Sequence, residues 1–80
     1  MKKVIDGKLY NTETSQLLLT LYIGSRHAQR DYYMTKKGAF FVHYVEVNDL
    51  DLVPEKTIAD LLMRYDVDKY IEIFGDVEEG

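Results

Sequence analysis

Two histidines and one aspartate are the side chains whose types and spacing admit coordination chemistry. His27 precedes Asp31 by one helical or two strand repeats, and His43 follows beyond a Lys36-Lys37-Gly38 turn. If that turn sets the register of an antiparallel hairpin, Asp31 falls opposite His43, within side-chain reach across the strands. Two imidazoles and a carboxylate form an N₂O set that could take zinc, with water or a further acid completing the shell. The same residues read more readily as a plain His–Asp cross-strand pair or a partly buried imidazole with a satisfied hydrogen bond, because closed zinc sites usually use four protein ligands. A one-residue slip of register would separate them.

Other chemistry finds less support. Ser25 lies close to His27 in sequence, but a nucleophile–base pair also needs an orienting group and an oxyanion hole. The chain has no cysteine, which excludes disulfides, thiol catalysis and cysteine-ligated zinc. Its five glycines are scattered and make no phosphate-cradling loop. The acids at 49, 51, 55 and 60 lack the glycine and spacing of a calcium loop. With 80 residues, a pocket of several hundred cubic ångströms is hard to enclose, and these readings together favour a binding surface over an enzyme.

The elements that would carry these residues divide at the single proline, Pro54. Asp6-Gly7 is a hairpin dipeptide, joining strands over 3–5 and 8–10. Residues 11–15 read as a turn. In Gln16–Ile23, Leu17, Leu19, Leu21 and Ile23 alternate onto one face, as in a half-buried strand. A polar loop over 24–29 leads to a hairpin of strands 30–36 and 39–47, with Gly38 in its turn. Phe40, Val42 and Tyr44 alternate with Phe41, Val45 and Val47, so this strand should be covered on both sides. Beyond Pro54, Ile58, Leu61, Leu62 and Tyr65 recur at helical spacing. Asp66 or Asp68 can cap a second helix bearing Val67, Tyr70, Ile71 and Phe74, which Gly75 ends. The expected fold is a single α+β domain over 1–80. It is an antiparallel meander of about four strands followed by two short helices packed on one face, with a frayed tail over 76–80.

Composition is globular, with 46% apolar and 30% charged residues, and no apolar run reaches membrane-spanning length. Two lysines open the chain without an apolar stretch behind them, so no secretory signal is expected. Net charge is −4 and unevenly placed. Residues 1–40 hold seven basic side chains against three acidic, whereas residues 41–80 hold three against eleven. An acidic surface repels phosphate and attracts basic grooves, although surface helices are often acidic merely to stay solvated. Arg26, Arg30, Lys36 and Lys37 near Tyr32 and Tyr33 could hold single-stranded nucleic acid, but the overall charge argues against direct nucleic-acid binding. Tyr22, Tyr32, Tyr33, Tyr44 and Phe40 could form a recognition patch or simply fill the core. A hairpin edge could also pair across a two-fold, giving a monomer or weak dimer, although edge lysines oppose this.

Two segments carry a resemblance. Ile5-Asp6-Gly7-Lys8-Leu9-Tyr10-Asn11-Thr12-Glu13-Thr14 resembles the I-[ND]-G-K-x-Y-[ND]-T-E-T start of a family of small proteins from phages and integrative elements of Gram-positive bacteria. Tyr33-Met34-Thr35-Lys36-Lys37-Gly38-Ala39-Phe40-Phe41-Val42-His43 is similar to the family's L-Y-x-T-K-x-G-x-[WF]-F-L-H hairpin. The late proline, amphipathic helix and Phe74-Gly75-Asp76 fit its tail, while Tyr32 replaces a usual leucine and the loop before the helix is shorter. Small acidic proteins of this origin include anti-CRISPR proteins. The resemblance therefore implies a non-catalytic inhibitor, acting in the bacterial host cytoplasm, that binds a Cas effector, Cas9 foremost, and blocks guide or target loading. An acidic helical face could occupy the effector's basic channel, with Asp49, Asp51, Glu55, Asp60, Asp66, Asp68 and Glu72 competing for phosphate sites and exposed tyrosines as anchors. The alternatives are a nucleic-acid-binding accessory protein of a mobile element and a small metal-stabilised interaction module held by His27, Asp31 and His43.

Overall fold

The computed structural model of the chain describes residues 1–25 and 28–75. Among them are six strands, β1 (Lys2–Ile5), β2 (Lys8–Asn11), β3 (Gln16–Ile23), β4 (Ala28–Met34), β5 (Phe40–Tyr44) and β6 (Asp49–Leu52). Two helices follow, α1 (Glu55–Tyr65) and α2 (Val67–Phe74). The fold is α+β, as expected: β3-β4-β5-β6 form an antiparallel meander, and both helices pack on one of its faces.

Local chemistry fixes the turns. Asp6 and Gly7 both take positive φ, 50° and 76°, the geometry that brings β1 and β2 into a two-residue hairpin. At the next hairpin Gly38 sits at φ 85°, and Thr35 closes the turn. Its N–H donates to the Ala39 carbonyl at 2.8 Å, and its Oγ1 accepts from the Ala39 N–H at 3.0 Å. That turn sets the β4–β5 register, in which Asp31 faces His43 as the sequence predicts.

Three features depart from expectation. The strand expected over 39–47 ends at Tyr44, and Val45–Asn48 form a turn leading into β6, which was not foreseen. Asn48 supplies the left-handed residue of that turn at φ 49°. Second, a bulge between Leu17 and Leu19 breaks the alternation of β3. Leu18 is thereby buried against the helices, while Leu17 moves to the opposite face beside Tyr33. Third, the β1–β2 hairpin is a separate two-stranded sheet that adds a third layer on the face of the meander away from the helices. Phe40 and Val42 face the helices with Leu18, Tyr32, Ile58 and Leu62. Phe41, on the other side of β5, packs with Tyr10 of β2 and Leu50 of β6 beneath the β1–β2 hairpin. The expectation that β5 is covered on both sides is thus met by a second small core.

The helices follow their apolar spacing only in part. Ile58 and Leu62 of α1 are fully buried. Phe74 of α2 packs against Phe40 and Tyr70, with ring centroids 5.9 and 5.2 Å apart. Asp66 caps α2, its Oδ1 accepting from the Lys69 N–H at 3.1 Å, and Gly75 closes it. Because Asp66 breaks the helical path (φ −155°, ψ 80°), α2 starts on a new axis. Tyr65 and Val67, expected to face the core, are each 54% exposed as a result.

Candidate functional site

The two histidines and the aspartate are only partly brought together. His27 lies outside the described residues. Asp31 and His43 are register partners, but the hydrogen bonds of each go to other residues. Asp31 Oδ1 accepts from Thr20 Oγ1 at 2.8 Å and from Gln29 Nε2 at 3.0 Å. The His43 Nε2 pairs with Asn48 Oδ1 at 2.9 Å. No ion pair joins Asp31 to His43, and among the described residues no group of three His, Cys, Asp or Glu converges on a metal position. The Asp31 charge, together with burial as the larger cause, raises the Tyr33 phenol above its ordinary 10.0. Across the sheet, Thr20 and Gln29 bind Asp31 while His43 turns to Asn48.

The seven acidic candidates do not share one helical face. Asp49 and Asp51 belong to β6, a strand the sequence reading did not contain. Asp49 is tied to β1 through Lys3, whose Nζ donates to Asp49 Oδ1 at 2.8 Å and to the Leu50 carbonyl at 3.1 Å. That hydrogen bond and the Leu50 N–H hold the Asp49 carboxyl below its ordinary range. Glu72 is paired with Lys69 at 2.7 Å, which raises the Lys69 ammonium, and Asp66 is spent on its cap. Glu55, Asp60 and Asp68 remain on the helices with no ion-pair partner among the described residues.

Sequence reasoning missed a run of exposed apolar residues flanking the α1–α2 junction. Met63, Tyr65 and Val67 are 47%, 54% and 54% exposed. Asp60, Asp66 and Asp68 lie within the same nine residues, with Arg64 the one cation among them. Exposed large apolar groups inside a charged rim are the usual anatomy of a protein-binding surface. The signal was Asp66, already a cap candidate in the sequence: a capping residue in the middle of the helical periodicity means a break, and residues flanking a break leave the core-facing stripe, which the expected core roles of Tyr65 and Val67 overlooked.

The basic residues occupy another place. The two segments that carry the family resemblance, distant in sequence, meet along an open groove of about 590 Å³ bordered by Lys8, Tyr10, Thr14, Thr35, Lys36 and Lys37. The three lysines have no ion-pair partner among the described residues. The tyrosines expected beside them are not free for stacking. Tyr32 is buried in the helix-side core, and Tyr33 stacks on Phe41 at 5.1 Å. Arg30 lies over the Tyr44 ring, 5.3 Å from its centroid. The recognition patch of five aromatics is likewise dispersed, since only Tyr22 of that group is mainly exposed.

The chain matches no protein-family model, no curated protein and no solved structure. No helix among the described residues is long and apolar enough to cross a membrane.

Proposed function

We propose that this chain is a non-catalytic inhibitor that acts by binding another protein through its helical end, and that its target is a Cas effector, Cas9 first. The observation that carries the binding reading is the exposure of Met63, Tyr65 and Val67 at the α1–α2 junction, in a stretch that also holds Asp60, Asp66 and Asp68. Aromatic and Met side chains supply contact area, and Asp60 and Asp68 supply charge complementarity to a basic channel. The choice of a Cas effector rests on the resemblance of the two motif segments to small mobile-element proteins, a group that includes anti-CRISPR proteins.

The test is target cleavage by guide-loaded Cas9 after preincubation with the protein. Dose-dependent loss of cleavage is expected. Tyr65→Ala and the Asp60→Asn/Asp68→Asn pair should each weaken it, the acidic pair more strongly at low salt, where the Debye length exceeds about 10 Å. Unchanged cleavage at large excess overturns the Cas9 assignment.

The lysine groove favours a second reading, a nucleic-acid-binding accessory protein. Lys8, Lys36 and Lys37 could neutralise phosphates, and such binding would show as retention on heparin that falls steeply with salt. Passage through heparin at physiological salt would remove this reading.

A further inference from the structure

The two edges of the four-stranded sheet are built differently. β6, at one edge, is four residues long, carries Asp49 and Asp51, and has Lys3 reaching across it. Those are ordinary devices against strand pairing. β3, at the other edge, is eight residues long, Gln16–Ile23, and contains neither a charged residue nor a proline. Its only protective feature is the bulge at Leu17/Leu19, which leaves Leu19–Ile23 regular. No backbone hydrogen bond outside the β3–β4 ladder engages these residues, so the outward N–H and C=O groups of the edge are unpaired among the described residues. Tyr22 is 64% exposed and belongs to neither core, and Ile23 is also exposed.

We propose that β3 pairs antiparallel with β3 of a second copy of this chain, joining two four-stranded sheets across a two-fold axis. The strand is its own complement when the axis passes through Leu21. Leu19 then faces Ile23 of the second copy, Leu21 faces Leu21, and Thr20 faces Tyr22. Leu19 and Leu21 lie on the helix-side face, where they pack against the helix-side core, and Ile23 follows them by alternation. Thr20 and Tyr22 lie on the hairpin-side face. Every pair in this register therefore joins side chains of the same face, and no like charges meet. An uncharged strand offers nothing to select a charged partner, whereas an isologous contact needs only self-complementarity and closes without open-ended growth. The lysines that would oppose edge pairing lie at the β4–β5 turn and on the β1–β2 hairpin. Five paired residues make a small interface, so the dimer is weak and depends on concentration. This proposal is independent of the target named above.

Sedimentation velocity from low micromolar to millimolar protein tests it. The expected result is a mass that rises from 9.4 kDa toward twice that value. Tyr22→Lys should hold the protein at the monomer mass at every concentration, with far-UV circular dichroism and melting unchanged, because Tyr22 contributes to neither core. Val47→Lys, in the exposed turn before β6, should dimerise like the unmodified chain. Hydrogen exchange should slow at the outward amides of residues 19–23 as concentration rises. A monomer mass throughout overturns the proposal, and so does a dimer that survives Tyr22→Lys with residues 19–23 unprotected.

Discussion

Replacing Phe41 by alanine tests whether the β1–β2 hairpin is seated on the sheet by a real second core. Phe41 has no exposed surface. Its ring stacks on Tyr33 at 5.1 Å and 10°, and meets the edge of Tyr10 at 5.8 Å and 66°. Truncating a buried Phe costs about 3–5 kcal/mol in lost transfer energy and cavity formation. A chain of 80 residues has a total stability of roughly 4–12 kcal/mol at ~0.05–0.15 per residue. Phe41→Ala therefore removes a large share of the total and should leave the protein partly unfolded at ambient temperature. Phe41→Leu is the more informative variant. It keeps most of the volume, which limits the packing cost to about 1.5 kcal/mol or less. It also forfeits two ring pairs at ~0.5–1.5 kcal/mol each, so a loss of about 2 kcal/mol is expected. At ~4–8 °C per kcal/mol, Tm should fall by roughly 8–16 °C. Urea unfolding gives the free-energy loss and a thermal melt gives Tm, each followed by circular dichroism and by tyrosine fluorescence. Val4→Ala, on the outer face of the same hairpin, should change stability by no more than ~0.5 kcal/mol. The three-layer reasoning is refuted if Phe41→Ala costs less than about 1 kcal/mol, since no packed site tolerates that deletion so cheaply.

Two further outcomes follow from single contacts. Asp66→Ala removes the cap that accepts from the Lys69 N–H, and should cost about 1 kcal/mol in urea unfolding while Asp66→Asn costs only tenths. Equal stability of Asp66→Ala and the parent would show that α2 does not depend on its cap. Asp49 has a folded-state pKa depressed by the Lys3 and Leu50 hydrogen bonds, so its stabilising contribution is present above the ordinary 3.8 and is lost as pH falls through the lower folded value. Melts carried from neutral pH into that acid window should show this loss in the parent and not in Asp49→Asn, and identical acid limbs would contradict the tether.

Legibility tracked how local the cause was. The Asp31–His43 register could be read because one turn, closed by Gly38 and Thr35, decides it. Ile58 and Leu62 could be read because helical spacing is set within a single segment. The Leu17-Leu18-Leu19 run could not be phased, since three consecutive leucines fit either face equally and the bulge is chosen by what Tyr32 and Tyr33 pair with. β6 was hidden because Asp49-Leu50-Asp51-Leu52 is short and half acidic, and the Asn48 turn lacks the usual glycine. The acidic candidates were correctly read as mostly surface residues. Their partners were not, because Lys3 meets Asp49 only after the hairpin has folded onto the opposite face of the sheet.

That pairing changes which surface can select a partner. Of the seven acids, Asp49, Asp51, Asp66 and Glu72 already satisfy groups of their own chain, and charge so engaged gives little to an intermolecular contact. The lysine groove has charge, but the tyrosine rings that could stack bases beside it are packed against the cores. The α1–α2 junction holds carboxylates without an ion-pair partner among the described residues in the same stretch as exposed large apolar side chains. Rim charge mainly speeds encounter, and buried apolar anchors mainly slow release. Neutralising Asp60 and Asp68 should therefore slow association and flatten its salt dependence, while Tyr65→Ala should speed dissociation with association almost unchanged. Surface-plasmon kinetics against the proposed target, Cas9, separates the two effects. If Tyr65→Ala left dissociation untouched while lysine-groove variants accelerated it, the groove would be the binding face and the helical end only a solvated surface.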